Sequence, residues 1–273
     1  MMEIDSWLAT ATKTLAESGI KTARLDSLVL LETVLGKDRS WLLAHPADKI
    51  SQTRLNTLSR FIAKRSTHYP LAYITNRAYF YNNQFFVNNS VLIPRPESET
   101  IIDVLKIIPP RDITTIIDVG TGSGALAITA KLLYPKVSVV AVDIDAKCLQ
   151  VAKKNSLSLN ADIKLFKSDL LGSLSTDLFK DSTLLINLPY VPDSLPINES
   201  AKLEPRLAIF GGASGLDLYS RLFDQITTLR SKPSYIITES LPAQHSNLQS
   251  IADSANYKCL ATDDFVQLFS HLR

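Results

Sequence analysis

The sequence predicts an α/β protein: a mainly parallel, seven-stranded sheet preceded by a small helical bundle and a β-hairpin. Three observations carry this expectation. Apolar residues recur at helical spacing through the first 65 positions, two aromatic runs flank an asparagine pair near position 82, and from about residue 97 apolar strands alternate with helical segments. Alternation of that kind implies parallel strands with helices on both faces of the sheet.

The bundle comes first. Trp7, Leu8, Ala11 and Leu15 in 6–17, Leu25, Leu28, Val29, Leu31 and Leu35 in 23–35, and Leu55, Leu58, Phe61 and Ile62 in 51–65 each mark an apolar helical face. Ser6 and Ser51 are expected caps, and Gly19 and Gly36 expected stops. Residues 1–75 are therefore read as a helical domain. In 78–87, Ala-Tyr-Phe-Tyr-Asn-Asn-Gln-Phe-Phe-Val, the pair Asn82-Asn83 tolerates the positive backbone angles of a tight turn, so 76–96 is read as a hairpin linker. In 97–273, strands are expected at 115–119, 137–142, 162–166, 183–187, 234–239, 256–260 and 265–270, with helices near 97–107, 124–133, 146–159, 217–230 and 243–254. Ligands of such sheets bind at the carboxyl ends of the strands.

Composition narrows the classes of function. Of 273 residues, 45% are apolar and 21% charged, which fits a globular chain with a sizeable core and excludes disordered and fibrous architectures. No apolar run exceeds four residues, against the ~18 of a membrane span. Glu3, Asp5 and Glu17 stand where a signal or transit peptide would be free of acids, so no membrane contact and a cytoplasmic location are expected. Cys148 and Cys259 are read as buried small hydrophobes, and His45, His68, His245 and His271 lack ligand spacing, so no metal site is expected. Net charge is only +2, yet no acid lies between Asp48 and Glu97, where Lys49, Arg54, Arg60, Lys64, Arg65, Arg77 and Arg95 are basic. The 49–95 stretch can offer a positive face to an acidic or nucleic-acid surface, or be a solvated helix face answered by acids elsewhere.

Glycine is scarce, at 9 of 273 residues against roughly 7% in average proteins. Six of the nine cluster as Gly120, Gly122, Gly124 and Gly211, Gly212, Gly215. The first cluster lies in Asp118-Val119-Gly120-Thr121-Gly122-Ser123-Gly124-Ala125, running from a strand directly into a helix, where alternate glycines let a ligand lie against main-chain atoms. After Val139-Val140-Ala141-Val142 the next strand ends in Asp143, whose carboxylate can accept two hydrogen bonds from a ribose diol. A glycine turn with a helix-capping aspartate is the plain alternative, and Gly120, Gly122 and Ala125 also satisfy a dinucleotide pattern.

The fourth strand runs into Asn187-Leu188-Pro189-Tyr190. A polar residue at a strand end, then a proline-stiffened turn and an aromatic, resembles the signature of S-adenosylmethionine-dependent methyltransferases acting on planar amino or amide nitrogens. An amide nitrogen is a poor nucleophile because its lone pair is delocalised. Acceptance of its hydrogens by the Asn187 side-chain oxygen and the Leu188 carbonyl would orient that lone pair towards the methyl group.

Further stretches extend the likeness: Pro70-Leu71-Ala72-Tyr73-Ile74, Ile93-Pro94-Arg95-Pro96-Glu97, and Leu203-Glu204-Pro205-Arg206-Leu207-Ala208 before Gly211-Gly212. With the glycine loop and Asn-Leu-Pro-Tyr, the chain resembles the release factor glutamine methyltransferases over nearly its whole length. The resemblance implies a seven-stranded, Rossmann-like S-adenosylmethionine-dependent methyltransferase domain in 97–273, after a helical bundle that docks the substrate protein, a peptide chain release factor. It places the cofactor on Gly120, Thr121, Gly122, Ser123, Gly124, Asp143, Asp169, Leu170 and Asn187. The substrate amide falls on Asn187, Leu188, Pro189 and Tyr190, with Asn187, Pro189 and Tyr190 as the catalytic set. Asp169 is equally placed to cap a helix. Arg95, Glu97, Glu204 and Arg206 would frame the site or form ordinary ion pairs, and Gly211, Gly212 and Gly215 are expected in a flexible loop beside the substrate entrance. Leu188 stands where the family usually has a proline, Tyr79-Phe80-Tyr81-Asn82 replaces a Glu-Phe-x-Gly stretch, and the glycine after the acid of the fifth strand is missing at Glu239-Ser240-Leu241. Asn-Leu-Pro-Tyr is also the form seen in ribosomal RNA adenine dimethyltransferases, which makes RNA adenine the rival substrate.

Overall fold

A computed structural model describes residues 1–272. The chain forms two compact units: Met1–Asn76 with Asn198–Leu203, and Arg77–Ile197 with the chain from Glu204 onward.

The first unit contains α1 (Ile4–Glu17), α2 (Ala23–Leu35), α3 (Arg39–Ala44), α4 (Gln52–Ser66) and α5 (Leu71–Thr75), with β1 (Met2–Glu3) antiparallel to β2 (Lys49–Ile50). Trp7, Leu8, Leu30, Leu31, Leu42 and Leu58 fill its core. Helix α1 starts two residues before Ser6, the expected cap. The N–H groups of Ile4 and Asp5 donate to the carbonyls of Asp48 and Pro46, so backbone pairing takes the place of a side-chain cap. Gly36 does close α2, in the left-handed region at φ +67°. The short α3 escapes the periodicity and is announced only by Asp38, whose carboxylate accepts from Trp41 N–H at 2.8 Å. Arg65, counted among the basic residues of the sequence, is buried and pairs with Asp26 at 2.6 Å. The same guanidinium reaches Tyr69 O at 3.2 Å and Ser200 Oγ at 3.5 Å, and Ser200 Oγ donates to His68 O at 2.7 Å, which ties 198–203 into this unit.

The second unit opens with an antiparallel hairpin, β3 (Arg77–Phe80) and β4 (Asn83–Phe86). Its turn residues are Tyr81 and Asn82, at φ +49° and +63°, one position before the expected Asn82-Asn83. Pairing of Phe80 with Asn83 leaves a two-residue turn in which both residues need positive φ. Tyr81 is held there by its N–H to Glu99 Oε1 at 2.8 Å and by Asn83 Nδ2 to its carbonyl at 2.9 Å.

There follow α6 (Glu99–Leu105), β5 (Thr115–Val119), α7 (Ala125–Leu133), β6 (Ser138–Asp143), α8 (Ala146–Ser158), β7 (Lys164–Lys167), β8 (Ser182–Ile186), α9 (Asp217–Thr228), β9 (Tyr235–Glu239), α10 (His245–Ser254), β10 (Tyr257–Asp263) and β11 (Val266–His271). The seven expected strands form one sheet in the order β10-β11-β9-β8-β5-β6-β7, parallel except where β11 runs against β9 and β10. Alternate side chains feed two cores. Ile116, Val139, Ala141, Leu185 and Ile237 pack in the same cluster as residues of α6 and α7, and Ile117, Val140, Val142, Leu184, Ile186 and Ile236 with residues of α9 and α10. Burial on both faces explains why these strands read as continuous apolar runs.

Register positions the site. Val119 pairs with Val142 and Ile186, and Ile186 with Thr238. The next residues, Gly120, Asp143, Asn187 and Glu239, therefore emerge in one row along the carboxyl edge, where the strand order reverses between β5 and β8. Cys148 is buried as expected, whereas Cys259, on the edge strand β10, is only half-buried. Among the described residues no helix is long and apolar enough to cross a membrane.

Candidate active site

The glycine loop is built by the ends of β5 and β6. Gly120 and Thr121 both donate their N–H to Val142 O at 2.9 Å, and Gly124 N–H closes the turn on Thr121 O at 2.8 Å. Gly120, Gly122 and Gly124 lie at φ +78°, +54° and +83°, a region that disfavours side chains. A Cβ on Gly124 would collide with Ile128 and Ala152, so this glycine seats α7 against α8; one on Gly122 would meet no atom within 4 Å, so that side of the loop is open. Thr121 is buried and donates its hydroxyl to Asp118 Oδ2 at 2.6 Å, an oxygen that also accepts from Ala127 N–H at 3.2 Å. Asp118 Oδ1 is buried with no partner among the described residues, and burial pushes this carboxyl up to about 7. Ser123 is buried, and its carbonyl accepts from Asn155 Nδ2 at 2.8 Å.

Asp143 is buried at the end of β6. Its Oδ2 accepts from Gly122 N–H at 2.9 Å and its Oδ1 from Asp145 N–H at 2.9 Å, which leaves each oxygen a further lone pair. Burial raises its pKa, and the two backbone donors oppose the rise. Asp169 and Leu170 point apart. The Asp169 carboxylate is exposed and paired with Arg221 at 2.7 Å, while Leu170 takes φ +51° and packs into the core beneath α9.

Asn187 is held by its nitrogen. Nδ2 donates to Ser98 Oγ at 2.8 Å and to Glu239 Oε2 at 3.2 Å, and Oδ1 takes no hydrogen bond from the described residues. Tyr190 donates its hydroxyl to the other Glu239 oxygen, Oε1, at 2.9 Å. The Tyr219 hydroxyl donates to Glu239 O and lies 3.3 Å from Leu188 O, latching the end of β9 to the Asn187-Tyr190 turn. Leu188, where a second proline would stand, is buried and close enough to Gly120 to meet a Cβ there at 3.1 Å, so packing replaces ring stiffness. Burial raises the pKa of Glu239, as does the neighbouring Glu97 charge, while hydrogen bonds from Ser98, Tyr190 and Asn187 draw it down.

The second glycine cluster braces this turn, rather than forming the loose loop expected from sequence. Val191 N–H donates to Ile209 O and Gly211 N–H to Val191 O, both at 3.0 Å. A Cβ on Gly211 would penetrate Pro189 O, and one on Gly215 would penetrate Tyr190 O. Gln244 Nε2 bridges Tyr190 O and Ser214 O at 2.8 Å each. Arg95 and Glu204 form a pair at 2.5 Å, and Glu204 Oε2 also accepts from Ile93 N–H at 3.1 Å. Arg206 turns elsewhere, to Asp193 at 3.1 Å and over the Phe210 ring.

Ser98, Tyr219, Glu239 and Gln244 received no role from the sequence. Glu239 carried a usable signal, because an acid closing the buried run Ile236-Ile237-Thr238 stands where Asp143 stands on β6. Nothing local marks Ser98 or Tyr219.

Two families match the chain: the PrmC N-terminal domain over residues 6–75 and the methyltransferase small domain over residues 98–193. Release factor glutamine methyltransferases align over most of its length. That of Koribacter versatilis is 34% identical over 220 residues, covering 79% of this chain and 78% of the relative. That of Bacillus subtilis is 32% identical over 247 residues, covering 88% and 85%. Among solved structures, the hMettl16 catalytic domain in complex with an RNA hairpin superposes with a TM-score of 0.54 at 14% identity, covering 82% of this chain and 83% of that one. A methyltransferase from Pyrococcus furiosus gives 0.51 at 15%, covering 81% and 98%. These two share the fold. On these sequence relatives, with the two family matches, this chain belongs to the release factor glutamine methyltransferase family.

Proposed function

We propose that the protein methylates the side-chain amide nitrogen of a glutamine in a peptide chain release factor, using S-adenosylmethionine. The observation that carries this reading is the pair of acceptors after β8: Asn187 Oδ1, whose own nitrogen is occupied by Ser98 and Glu239, and the adjoining Leu188 carbonyl. Two neighbouring acceptors match a planar NH2 group, which has two hydrogens to donate. Family membership supplies the substrate class, and ribosomal RNA adenine is not favoured as a substrate, since the sequence relatives named above are release factor enzymes.

The residues present suit the cofactor. Gly122 is open where a side chain would block a ligand, Asp143 has a spare lone pair on each oxygen, and the buried Asp118 Oδ1 has no partner among the described residues. The backbone from Gly120 through Thr121, Gly122 and Ser123 to Gly124 would hold the cofactor, with Asp143 on the ribose diol, Asp169 and Leu170 near the adenine, and Asn187 beside the reactive end. When bound, S-adenosylmethionine supplies a methyl group on a sulfonium whose positive charge is lost as the methyl leaves. Asn187 Oδ1 and the Leu188 carbonyl accept the two amide hydrogens, fix the amide plane and favour pyramidal nitrogen, so most of the acceleration is positional and electrostatic. Tyr190, tethered by its hydroxyl, packs against the amide, Pro189 stiffens the turn, and the surplus proton passes to water.

In this reading the helical unit docks the release factor. Lys49, Arg54, Arg60, Lys64 and Arg77 of the basic stretch are exposed and available to an acidic protein or nucleic-acid surface, whereas Arg65 and Arg95 are committed to Asp26 and Glu204. A substrate drawn from the translation machinery places the reaction in the cytoplasm. Mass spectrometry of a release factor incubated with enzyme and S-adenosylmethionine is expected to find one methyl on a glutamine; label appearing in ribosomal RNA and not in the factor would reverse the assignment.

A further inference from the structure

We propose that Glu239 is a positioning residue that fixes which end of the Asn187 amide faces the substrate, and so makes the site select an amide over the isosteric carboxylate. The inference rests on the reading above, in which Asn187 Oδ1 accepts a substrate hydrogen.

The two ends of an asparagine amide are nearly equal in size, so packing alone does not choose between them; hydrogen-bond partners do. Ser98 cannot decide the matter, because a hydroxyl serves as donor or acceptor. Glu239 can in its ionised form, since a carboxylate only accepts, and the hydrogen bonds it receives from its neighbours favour that form. Its side chain is buried, its Oε2 accepts from Asn187 Nδ2 at 3.2 Å, and its Oε1 accepts from the Tyr190 hydroxyl at 2.9 Å. Turning the Asn187 amide over would set Oδ1 against Glu239 Oε2, two acceptors facing each other away from water, which is costly in a buried site. The latch from Tyr219 to Glu239 O and Leu188 O keeps acid and turn in fixed relation.

The consequence is a surface that presents acceptors only, Asn187 Oδ1 and the Leu188 carbonyl. Glutamine offers it two donors. Glutamate has the same shape but offers only acceptors, and is repelled. A site built to bond a donor rejects the analogue that lacks it because buried polar groups are then left unpaired.

Glu239→Gln tests this directly. Tyr190 keeps the glutamine oxygen, so the new amide nitrogen faces Asn187 and requires an acceptor, which turns Asn187 Nδ2 towards the substrate. The assay uses the full chain with a release factor as substrate and, as competitor, the same factor carrying glutamate at the methylated position. Expected for Glu239→Gln are a kcat lower by roughly 100-fold, S-adenosylhomocysteine affinity within about twofold, and a competitor Ki lower by roughly tenfold. An unchanged kcat with an unchanged ratio of competitor Ki to substrate KM overturns the proposal. A merely structural role would weaken both protein ligands together and leave that ratio alone, which also counts against it. If Glu239→Gln fails to fold, Glu239→Ala removes the acceptor and leaves Asn187 without a bias, which is expected to shift the ratio the same way by a smaller factor, whereas Ser98→Ala, which keeps Glu239, is expected to leave it unchanged; no shift in Glu239→Ala overturns the proposal. Asn187→Ala, run in parallel, separates the two levels of inference. Full turnover in that variant removes the underlying reading, whereas its loss alongside a wild-type Glu239→Gln removes this inference alone.

Discussion

Gly122 donates its backbone N–H to Asp143 Oδ2 at 2.9 Å, so the middle glycine of the loop and the acid of the next strand are one hydrogen-bonded unit. In the proposed function Asp143 therefore has two jobs: it offers its remaining lone pairs to the ribose diol, and it holds the loop in the shape that admits the ligand. Asp143→Ala removes both. S-adenosylhomocysteine affinity measured by calorimetry is expected to fall ~10–100-fold, at about 1.4 kcal/mol per tenfold. A change below twofold would show that the carboxylate does not contact the cofactor.

Asn187→Ala leaves the glycine loop intact and deletes the side-chain acceptor. Turnover on a release factor is expected to drop by roughly 100- to 1000-fold, in line with the loss of one preorganised polar group. Cofactor binding should survive within a few-fold. Equal losses in both would point to a collapsed turn instead.

Gly211→Ala places a methyl group inside the radius of Pro189 O, in a segment bonded on both sides to Val191. Overpacking of this kind costs ~1–3 kcal/mol. Calorimetric melting should come several degrees lower, with kcat reduced because the Asn187-Tyr190 turn must yield. A variant with wild-type stability and turnover would mean that the second glycine cluster is free to move.

The pH dependence of stability carries a signature of Asp118. Burial pushes its carboxyl up to about 7 in the folded chain, against about 3.9 unfolded. The folded state binds this proton more tightly, so its contribution to stability is full below about pH 4 and is lost as pH rises to about 7, by at most ~1.4 kcal/mol per pH unit. Asp118→Asn cannot titrate. Denaturant midpoints are expected to move in the variant's favour, relative to wild type, across that window; a constant difference would place the Asp118 pKa near its ordinary value.

In the helical unit, Asp26→Ala strands the buried Arg65 guanidinium without its 2.6 Å partner. Breaking a buried pair on one side costs ~3–5 kcal/mol. Proteolysis under native conditions should then cut first within the helical unit or at 198–203, which Arg65 and Ser200 tie to it. Cleavage confined to other segments would argue that the pair is dispensable.

Much of this protein is legible along the chain. The continuous apolar run Val139-Val140-Ala141-Val142 and helical spacing in Trp7, Leu8, Ala11 and Leu15 are local patterns, and patterns of these two kinds located the seven strands and the main helices. The glycine loop and the turn Asn187-Leu188-Pro189-Tyr190 were legible for the same reason: each motif is written within about ten consecutive residues at a strand end. Turn details were less secure. The hairpin reading missed the true turn by one residue because Tyr81 is held in the left-handed region by Glu99, a residue 18 positions away.

What the sequence by itself determined is the set of elements, the glycine loop after β5 and the Asn-Leu-Pro-Tyr turn after β8, all products of short-range periodicity and backbone chemistry. Only the tertiary structure decided how the turn is oriented and braced. Ser98 meets Asn187 across 89 positions, Glu239 across 52, and Arg65 meets Ser200 across 135. The order of strands in the sheet brings β8 beside β9 and so sets Glu239 against Asn187. Such pairings depend on which strands become neighbours, a property of the folded sheet and not of any window of chain. The same holds for Gly211 and Gly215: their scarcity made them visible, and only the packed backbone of Pro189 and Tyr190 shows why no side chain fits there.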